Sequence, residues 1–600
     1  MRTKPRPIVF CLFLIFAATL ALGQKPEGTM SIVLSMDQPS THYYHVVFRC
    51  DGLKGETQDF KLPEWTPGYY RIMDYARNVL NFRAEDGTGR ELPCEKTTKN
   101  TWRVRTGKSS AASVSYDVYA FARSVADSYL DDSRGFVSPT GVFMHVGGKI
   151  LHPVTLEVKP FRDWRQVATG LDPVAGRPNT FSAPDFDILY DCPILIGNLE
   201  ILPFEVQGIP HRFAIFDPGS FDRSKFVADH KKMVESAVAL IGDIPYKHYT
   251  FLMIGPGGGG LEHLNSTALT FNSGSFENPA GYKRWLSFAA HEFFHLYNVK
   301  RIRPIALGHF EYDKENYTTM LWVSEGFTSY YQELILNRAG ILTRGEVLDR
   351  LASTIGAYEN IPGHLFQSAA ASSFDTWIQY FSRSENSANT TISYYNKGAA
   401  LGMLLDLKIR NETKNQKSLD DAMRTLYKKY FQELKRGFTD KEFREACEAA
   451  AGTPLSEIFD VYVPTVKDID YPKYLAYAGL GIDVEPKELP GPYFGADARD
   501  QNGALTIASV EWNSPASLGG LSAQDEILAL DGARANPRSL GDMLGSRKPG
   551  DKVRVLVARG GAIREFEVVL GKKKQRSFRM SPLPNPTPLQ TAILKSWLKD

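Results

Sequence analysis

Along the first third of the chain, apolar and polar positions alternate in short runs. Ser31-Ile32-Val33-Leu34, Tyr43-Tyr44-His45-Val46-Val47-Phe48 and Val114-Ser115-Tyr116-Asp117-Val118-Tyr119 are alternating or β-branched, and turn residues such as Pro67-Gly68 and Asp86-Gly87 separate such runs. The pattern predicts a β-sandwich-like domain over residues 24–205. From about 206 the character changes. A strand-like run, 249–254, precedes a Gly-rich loop at 255–260, and helical segments then dominate to about 475. One covers 283–298 and another starts near Met320. Thr439-Asp440-Lys441-Glu442 is a capping box, and Thr453-Pro454 opens the helix after Gly452. Residues 476–571 return to short strands, with Ser514-Pro515-Ala516 and Asp531-Gly532 as punctuation. The tail, 572–600, carries Lys572-Lys573-Lys574, which reads as solvated, and closes on Ile593, Leu594, Trp597 and Leu598. The expected fold is multidomain α+β, and no internal repeat is visible.

Residues 1–23 read as a targeting segment. Arg2, Lys4 and Arg6 form a basic start, residues 8–22 are an apolar run, and Ala21-Leu22-Gly23 offers small residues before Gln24. The run is shorter than the ~20 residues of a membrane span. The expectation is a cleaved signal peptide and an exported, periplasmic or secreted protein of bacterial type.

Six hundred residues, 43% hydrophobic and 23% charged, exceed one core and are too apolar for a disordered chain. Lys plus Arg is 70 and Asp plus Glu 68, for a net charge of +2. So even a balance exerts no general pull on nucleic acid. Beyond residue 23 there are four cysteines, Cys50, Cys94, Cys192 and Cys447. An oxidising compartment allows disulfides, and Cys50 with Cys94 is the favoured pair because both fall in one predicted domain.

The chemistry concentrates at His291-Glu292-Phe293-Phe294-His295. On a helix, residues four apart share a face, so both imidazoles reach one ion. Zinc suits such nitrogens and leaves a position for water, from which Glu292 can take a proton. A third ligand is needed. Glu325, in Leu321-Trp322-Val323-Ser324-Glu325-Gly326, is an isolated carboxylate in an apolar helix, where burial is costly unless a cation offsets it. Glu311, Asp313 and Glu315 compete by distance but lie in a polar, loop-like context. Gly258-Gly259-Gly260-Leu261-Glu262-His263 lacks the Gly-Lys-Ser/Thr of a phosphate loop. Gly259 and Gly260 let a ligand approach the backbone, and Glu262 is a candidate partner for a substrate amine. In Ser393-Tyr394-Tyr395-Asn396-Lys397-Gly398 either phenol is a candidate oxyanion donor.

Taken together, these residues resemble the glycyl aminopeptidase family of zinc metallopeptidases, of the gluzincin type. The resemblance extends to Leu62-Pro63-Glu64-Trp65-Thr66-Pro67-Gly68-Tyr69, to Asn298-Val299-Lys300-Arg301-Ile302-Arg303-Pro304 and to Pro582-Leu583-Pro584-Asn585-Pro586. It implies a thermolysin-like, mainly α catalytic domain at 206–475 behind the β domain, and one Zn2+ on His291, His295 and Glu325. It also implies release of N-terminal residues, with Gly and Ala favoured. By the same resemblance Glu262 grips the substrate's free amine and Tyr395 serves the transition state, with Tyr394 as its rival. The gap from His295 to Glu325 is longer than in the aminopeptidase N type, and His263 stands where that type has Asn. The block 476–571 resembles a PDZ domain, with Gly479-Leu480-Gly481-Ile482 as its carboxylate-binding loop for a C-terminal peptide. The expected partners are peptides with a free N-terminus. Two other readings stay open: an endopeptidase with Glu262 facing solvent, and an envelope peptide-binding protein with a vestigial catalytic domain.

Overall fold

Alternation decides the N-terminal architecture. In Tyr43–Asp51 every second side chain is buried, and this strand lies inside a seven-stranded sheet between Met30–Ser35 and Ala111–Tyr119. A four-stranded sheet built on Gln58–Lys61 and Thr101–Val104 covers its inner face. Phe48 meets Phe60 edge-to-face at 5.8 Å and Phe82 stacks on Trp102 at 5.5 Å, closing the sandwich. A third sheet carries Tyr129–Leu130, Arg134–Val137, Gln166–Thr169 and Ile194–Gly197. This computed structural model describes residues 28–600, so the targeting segment lies outside the described residues. No described helix is long and apolar enough to cross a membrane.

The second unit is a five-stranded sheet followed by helices. Its first strand, Glu200–Val206, forms a hairpin with Ile209–Ile215, so the chain enters this sheet before position 206. Tyr249–Met253 and Ser266–Leu269 continue it in parallel, and the short antiparallel strand Gly260–Glu262 makes the edge. Beneath lies one large apolar core that includes Phe251, Phe293, Leu334 and Leu404. The third unit has its own small core of Leu505, Ile527, Val555 and Val568 around strands Ala504–Val510, Glu526–Leu530, Lys552–Arg559 and Ala562–Val569. It touches the helical unit where Asn389 bridges Val510 O and the Trp512 N–H, both at 2.8 Å.

Three expectations need correction. Gly479–Leu480–Gly481–Ile482 is not a free loop of the third unit. Leu480–Ile482 pairs with Met580–Pro582, Leu480 is buried in the helical core, and the Gly479 N–H already donates to Ala476 O at 3.0 Å. No backbone donor at Gly479 is left for a carboxylate. The tail is solvated at its start, where Lys572 and Lys574 are exposed, but not as a whole. Lys572 and Lys573 pair with Glu488 and Glu511, and the helix Pro588–Trp597 returns to the core. There Trp597, 1% exposed, donates from Nε1 to the Tyr330 hydroxyl at 2.7 Å. Finally, the four cysteines are free thiols: Cys50 points into the sandwich core, whereas Cys94 is exposed on Cys94–Thr98 of the facing sheet.

Candidate active site

The helix Pro279–Phe294 starts cleanly because Asn278 caps it, accepting from the N–H groups of Ala280 and Gly281, with Pro279 at the first position. Its last turn carries His291 and Glu292, and His295 follows at the cap. Glu325 stands between Leu321–Ser324 and Gly326–Arg338. The structure brings the three together. His291 Nε2 and His295 Nε2 are 3.0 Å apart, and Glu325 Oε2 lies 3.5 and 3.1 Å from them. A tetrahedral ion with ligands at about 2.0–2.1 Å has edges of about 3.3 Å, which fits this triangle. Glu311, Asp313 and Glu315 are not in this group; Asp313 pairs with Lys61.

Neighbours fix the imidazoles. His295 Nδ1 donates to Asn298 O at 2.7 Å and His291 Nδ1 to Gln332 Oε1 at 2.9 Å, which directs each Nε2 at the centre. The Asn298 amide donates to Val323 O, Ser324 O and Thr328 Oγ1 at 2.9–3.0 Å, tying the first helix to the segment that carries Glu325. Burial opposes ionisation of Glu325, but His295 and His291 outweigh it and hold its carboxyl below the usual carboxylate range. Burial pushes the Glu292 carboxyl up to about 8, aided by Glu262 and Glu325 and opposed by His295.

Gly260 is required by close approach. A Cβ there would lie 2.5 Å from the Glu292 carboxyl carbon, so the edge strand seats directly on that side chain. Glu262, 4% exposed, has no hydrogen-bond partner on Oε1 among the described residues, and its carboxylate lies with Glu292 and His295 in one group whose ligand atoms are within 4.8 Å of one another. On the opposite wall the helix Tyr394–Glu412 crosses Gly326–Arg338 so closely that a Cβ on Gly326 would lie 2.4 Å from Gly398 Cα. This contact sets Tyr395 beside the metal-ligand group, its ring stacked over His291 at 6.0 Å. Tyr394 stacks behind the Tyr395 ring at 4.8 Å, fully buried, with its hydroxyl at 3.0 Å from Thr376 Oγ1.

Gly260, Glu262, His291, Glu292, His295, Glu325 and Tyr395, but not Tyr394, line one cleft of about 1000 Å3. Sequence reasoning named Gly259, Gly260, Glu262, His291, Glu292, His295, Glu325 and Tyr395. It missed Gly68, Tyr69 and Val125, which the N-terminal domain contributes, and Gln332, Tyr380 and Phe381. Gln332 was within reach, since it lies seven residues after Glu325 and so on the same helix face. Gly479, Leu480, Gly481 and Ile482 lie elsewhere.

Residues 31–198 match the family described as Peptidase M61 N-terminal domain, residues 284–401 match M61 glycyl aminopeptidase, and residues 479–570 match PDZ domain. Among solved structures, the aminopeptidase N family protein from Idiomarina loihiensis is 29% identical, with a TM-score of 0.87 over 95% of this chain and 100% of its own. An M1 zinc metallopeptidase mutant from Deinococcus radiodurans, bound to a Tyr-Ser-Ala substrate, is 13% identical, with a TM-score of 0.49 over 74% of this chain and 95% of its own. No curated protein matches the chain. The second family match spans the histidine pair, Glu325 and Tyr395, and the likeness to the Idiomarina protein runs through all three units. The chain is a metallopeptidase, aminopeptidase-like, in which residues 31–198 carry an M61 N-terminal domain, residues 284–401 an M61 glycyl aminopeptidase domain and residues 479–570 a PDZ domain.

Proposed function

We propose that this protein is a zinc aminopeptidase that removes N-terminal residues from peptides, with small ones, Gly and Ala, favoured. His291, His295 and Glu325 would hold one zinc ion per chain. Bound there, zinc supplies Lewis acidity toward the scissile carbonyl and lowers the pKa of water toward 7. Glu292 takes the proton of the attacking water and delivers it to the leaving nitrogen. The Tyr395 hydroxyl donates to the oxyanion. Glu262 receives the N-terminal ammonium and so fixes which peptide bond meets Glu292.

One observation carries the exopeptidase reading: the buried Glu262 carboxylate has an oxygen that no described residue hydrogen-bonds, and it lies a few ångströms from Glu292. An unpaired buried carboxylate is costly, and a substrate ammonium offsets the cost, whereas a blocked N-terminus does not. The aromatic rings of Tyr69, Tyr380 and Phe381 in the cleft support a preference for small side chains. The intact ligand set speaks against a vestigial catalytic domain. The basic and apolar start at residues 1–23 supports export to the periplasm or the medium. A C-terminal peptide ligand at the PDZ domain is assigned to the cavity of about 440 Å3 bounded by Tyr493, Phe494, Gly495 and Lys573. The deciding experiment measures zinc content and turnover of Gly- and Ala-arylamides against their N-acetylated forms. Equal turnover of the acetylated substrates removes the aminopeptidase assignment, and internal cleavage without N-terminal ladders in peptide digests selects the endopeptidase.

A further inference from the structure

Glu262 stands between two cavities. The catalytic cleft lies in front of it. Behind it is a second cavity of about 300 Å3, which shares Gly68 and Glu262 with the cleft and is lined as well by Asp191, Lys300 and Arg303. From this rear side Lys300 Nζ approaches Glu262 Oε1 to 3.9 Å, too far for a hydrogen bond. What restrains it is Asp191, whose Oδ1 accepts from Lys300 Nζ at 2.8 Å. Asp191 is itself held in place. Its Oδ2 accepts from the Leu264 N–H at 2.7 Å, and His263 Nδ1 lies 3.3 Å from Oδ1. Both members of the Asp191–Lys300 pair are buried, so the attraction between them is weakly screened by water. The protein thus carries an ammonium of its own about one ångström short of the bond that the substrate's ammonium must make.

We infer that Asp191 is a positioning residue of the amine subsite: it retains Lys300 on the rear side, so that Glu262 remains free for the substrate's N-terminal ammonium. This rests on the reading of Glu262 as the amine anchor. Asp191 belongs to the N-terminal domain, as does Gly68, on which a Cβ would lie 2.6 Å from Glu262 Oε1. Recognition of a free N-terminus is therefore shared between two domains, although the metal ligands and Glu292 all come from one. The charges also explain why Lys300 needs restraint. Released onto Glu262, it would neutralise the carboxylate, and an incoming ammonium would first have to displace it.

Asp191→Asn tests this with little change of shape. Asparagine has one acceptor oxygen where Asp191 uses two, so it cannot serve both the Leu264 N–H and Lys300, and it carries no charge to hold the ammonium. In the full-length, zinc-loaded enzyme, KM for Gly-4-nitroanilide is expected to rise about tenfold with kcat within about threefold. Adding Lys300→Met should return KM to within about threefold of wild type, because the competing ammonium is gone. Lys300→Met alone should leave KM within the same range. Calorimetric binding of Gly-Gly-Gly to the same variants in a Glu292→Gln background should follow the same order. The inference is overturned if Asp191→Asn leaves KM unchanged, if the double variant is no better than Asp191→Asn, or if Lys300→Met alone raises KM as Glu262→Gln does. Glu262→Gln separates the two claims. If this variant still prefers free over N-acetylated substrates as wild type does, the amine-anchor reading falls and the inference with it; if the preference is lost, absence of rescue overturns the Asp191 role alone.

Discussion

Two glycine-bearing segments look alike as sequence and behave differently as structure. Gly258 to Glu262 edges the catalytic sheet, with Gly260 pressed on Glu292 and Glu262 left with a buried oxygen that no described residue hydrogen-bonds. Gly479 to Ile482 uses its missing side chains to admit another stretch of the same chain: Pro586 and Leu583 lie 3.0 and 3.2 Å from where a Cβ of Gly479 or Gly481 would be. Glycine permits close approach in both places. What distinguishes a binding segment from a structural one is a polar atom that the fold leaves unsatisfied.

That contrast can be broken by substitution. The largest effect belongs to the first segment's partner. Glu292→Gln should lower kcat about 10³- to 10⁴-fold while zinc content by elemental analysis stays at one per chain; retained activity would falsify the proton-transfer role. Next comes the tail that covers the second segment. Trp597→Ala should cost about 3–5 kcal/mol in urea unfolding, and a change below 1 kcal/mol would mean that the tail helix is not part of the core. Gly260→Ala should drive Glu292 from its place and reduce kcat/KM about 100-fold with little change in zinc content; an unaffected rate would show that the strand yields. Acid should also separate the two regions. Burial holds His145, His211 and His230 down to about 4. Unfolded, they take up protons near 6.5, so stability falls as pH drops from 6.5 toward 4, by roughly 2 kcal/mol for each. Residues 479–600 contain no histidine. Hydrogen exchange at pH 5 should therefore loosen the sheet around His211 before the PDZ core, and the reverse order would contradict the assignment. The smallest effect is Gly481→Ala, where only the Leu583 methyl must shift: under about 1 kcal/mol and unchanged kcat/KM.

The legible parts of the site were those held by local spacing. His291 and His295 share a face by helix period, and Glu325 announced itself as a lone carboxylate in an apolar helix. The β-rich start was legible because its strands bury alternate residues. Tyr394 and Tyr395 could not be told apart, since adjacent positions on a helix differ only in direction, and that is set by the Gly326–Gly398 crossing. Gly68, Tyr69 and Asp191 were hidden for a different reason. They enter the site or its rear wall from another domain, and no local pattern reports a neighbour more than seventy residues away. The misread cysteines follow the same logic: Cys50 and Cys94 share a domain, but one is turned into its core and the other out of it.

The paired strands Leu480–Ile482 and Met580–Pro582 have one more implication. The PDZ domain leaves and rejoins the catalytic body at a single stalk, reinforced by Lys487–Glu488 against Lys574–Gln575. In topological terms it is a long loop inserted ahead of the closing helix, and engineering should treat it so. Excising the loop and bridging its stalk with a tight turn keeps Phe578 and Trp597 in their sockets. Clipping the gene at residue 479 would instead remove the keystone along with the ornament.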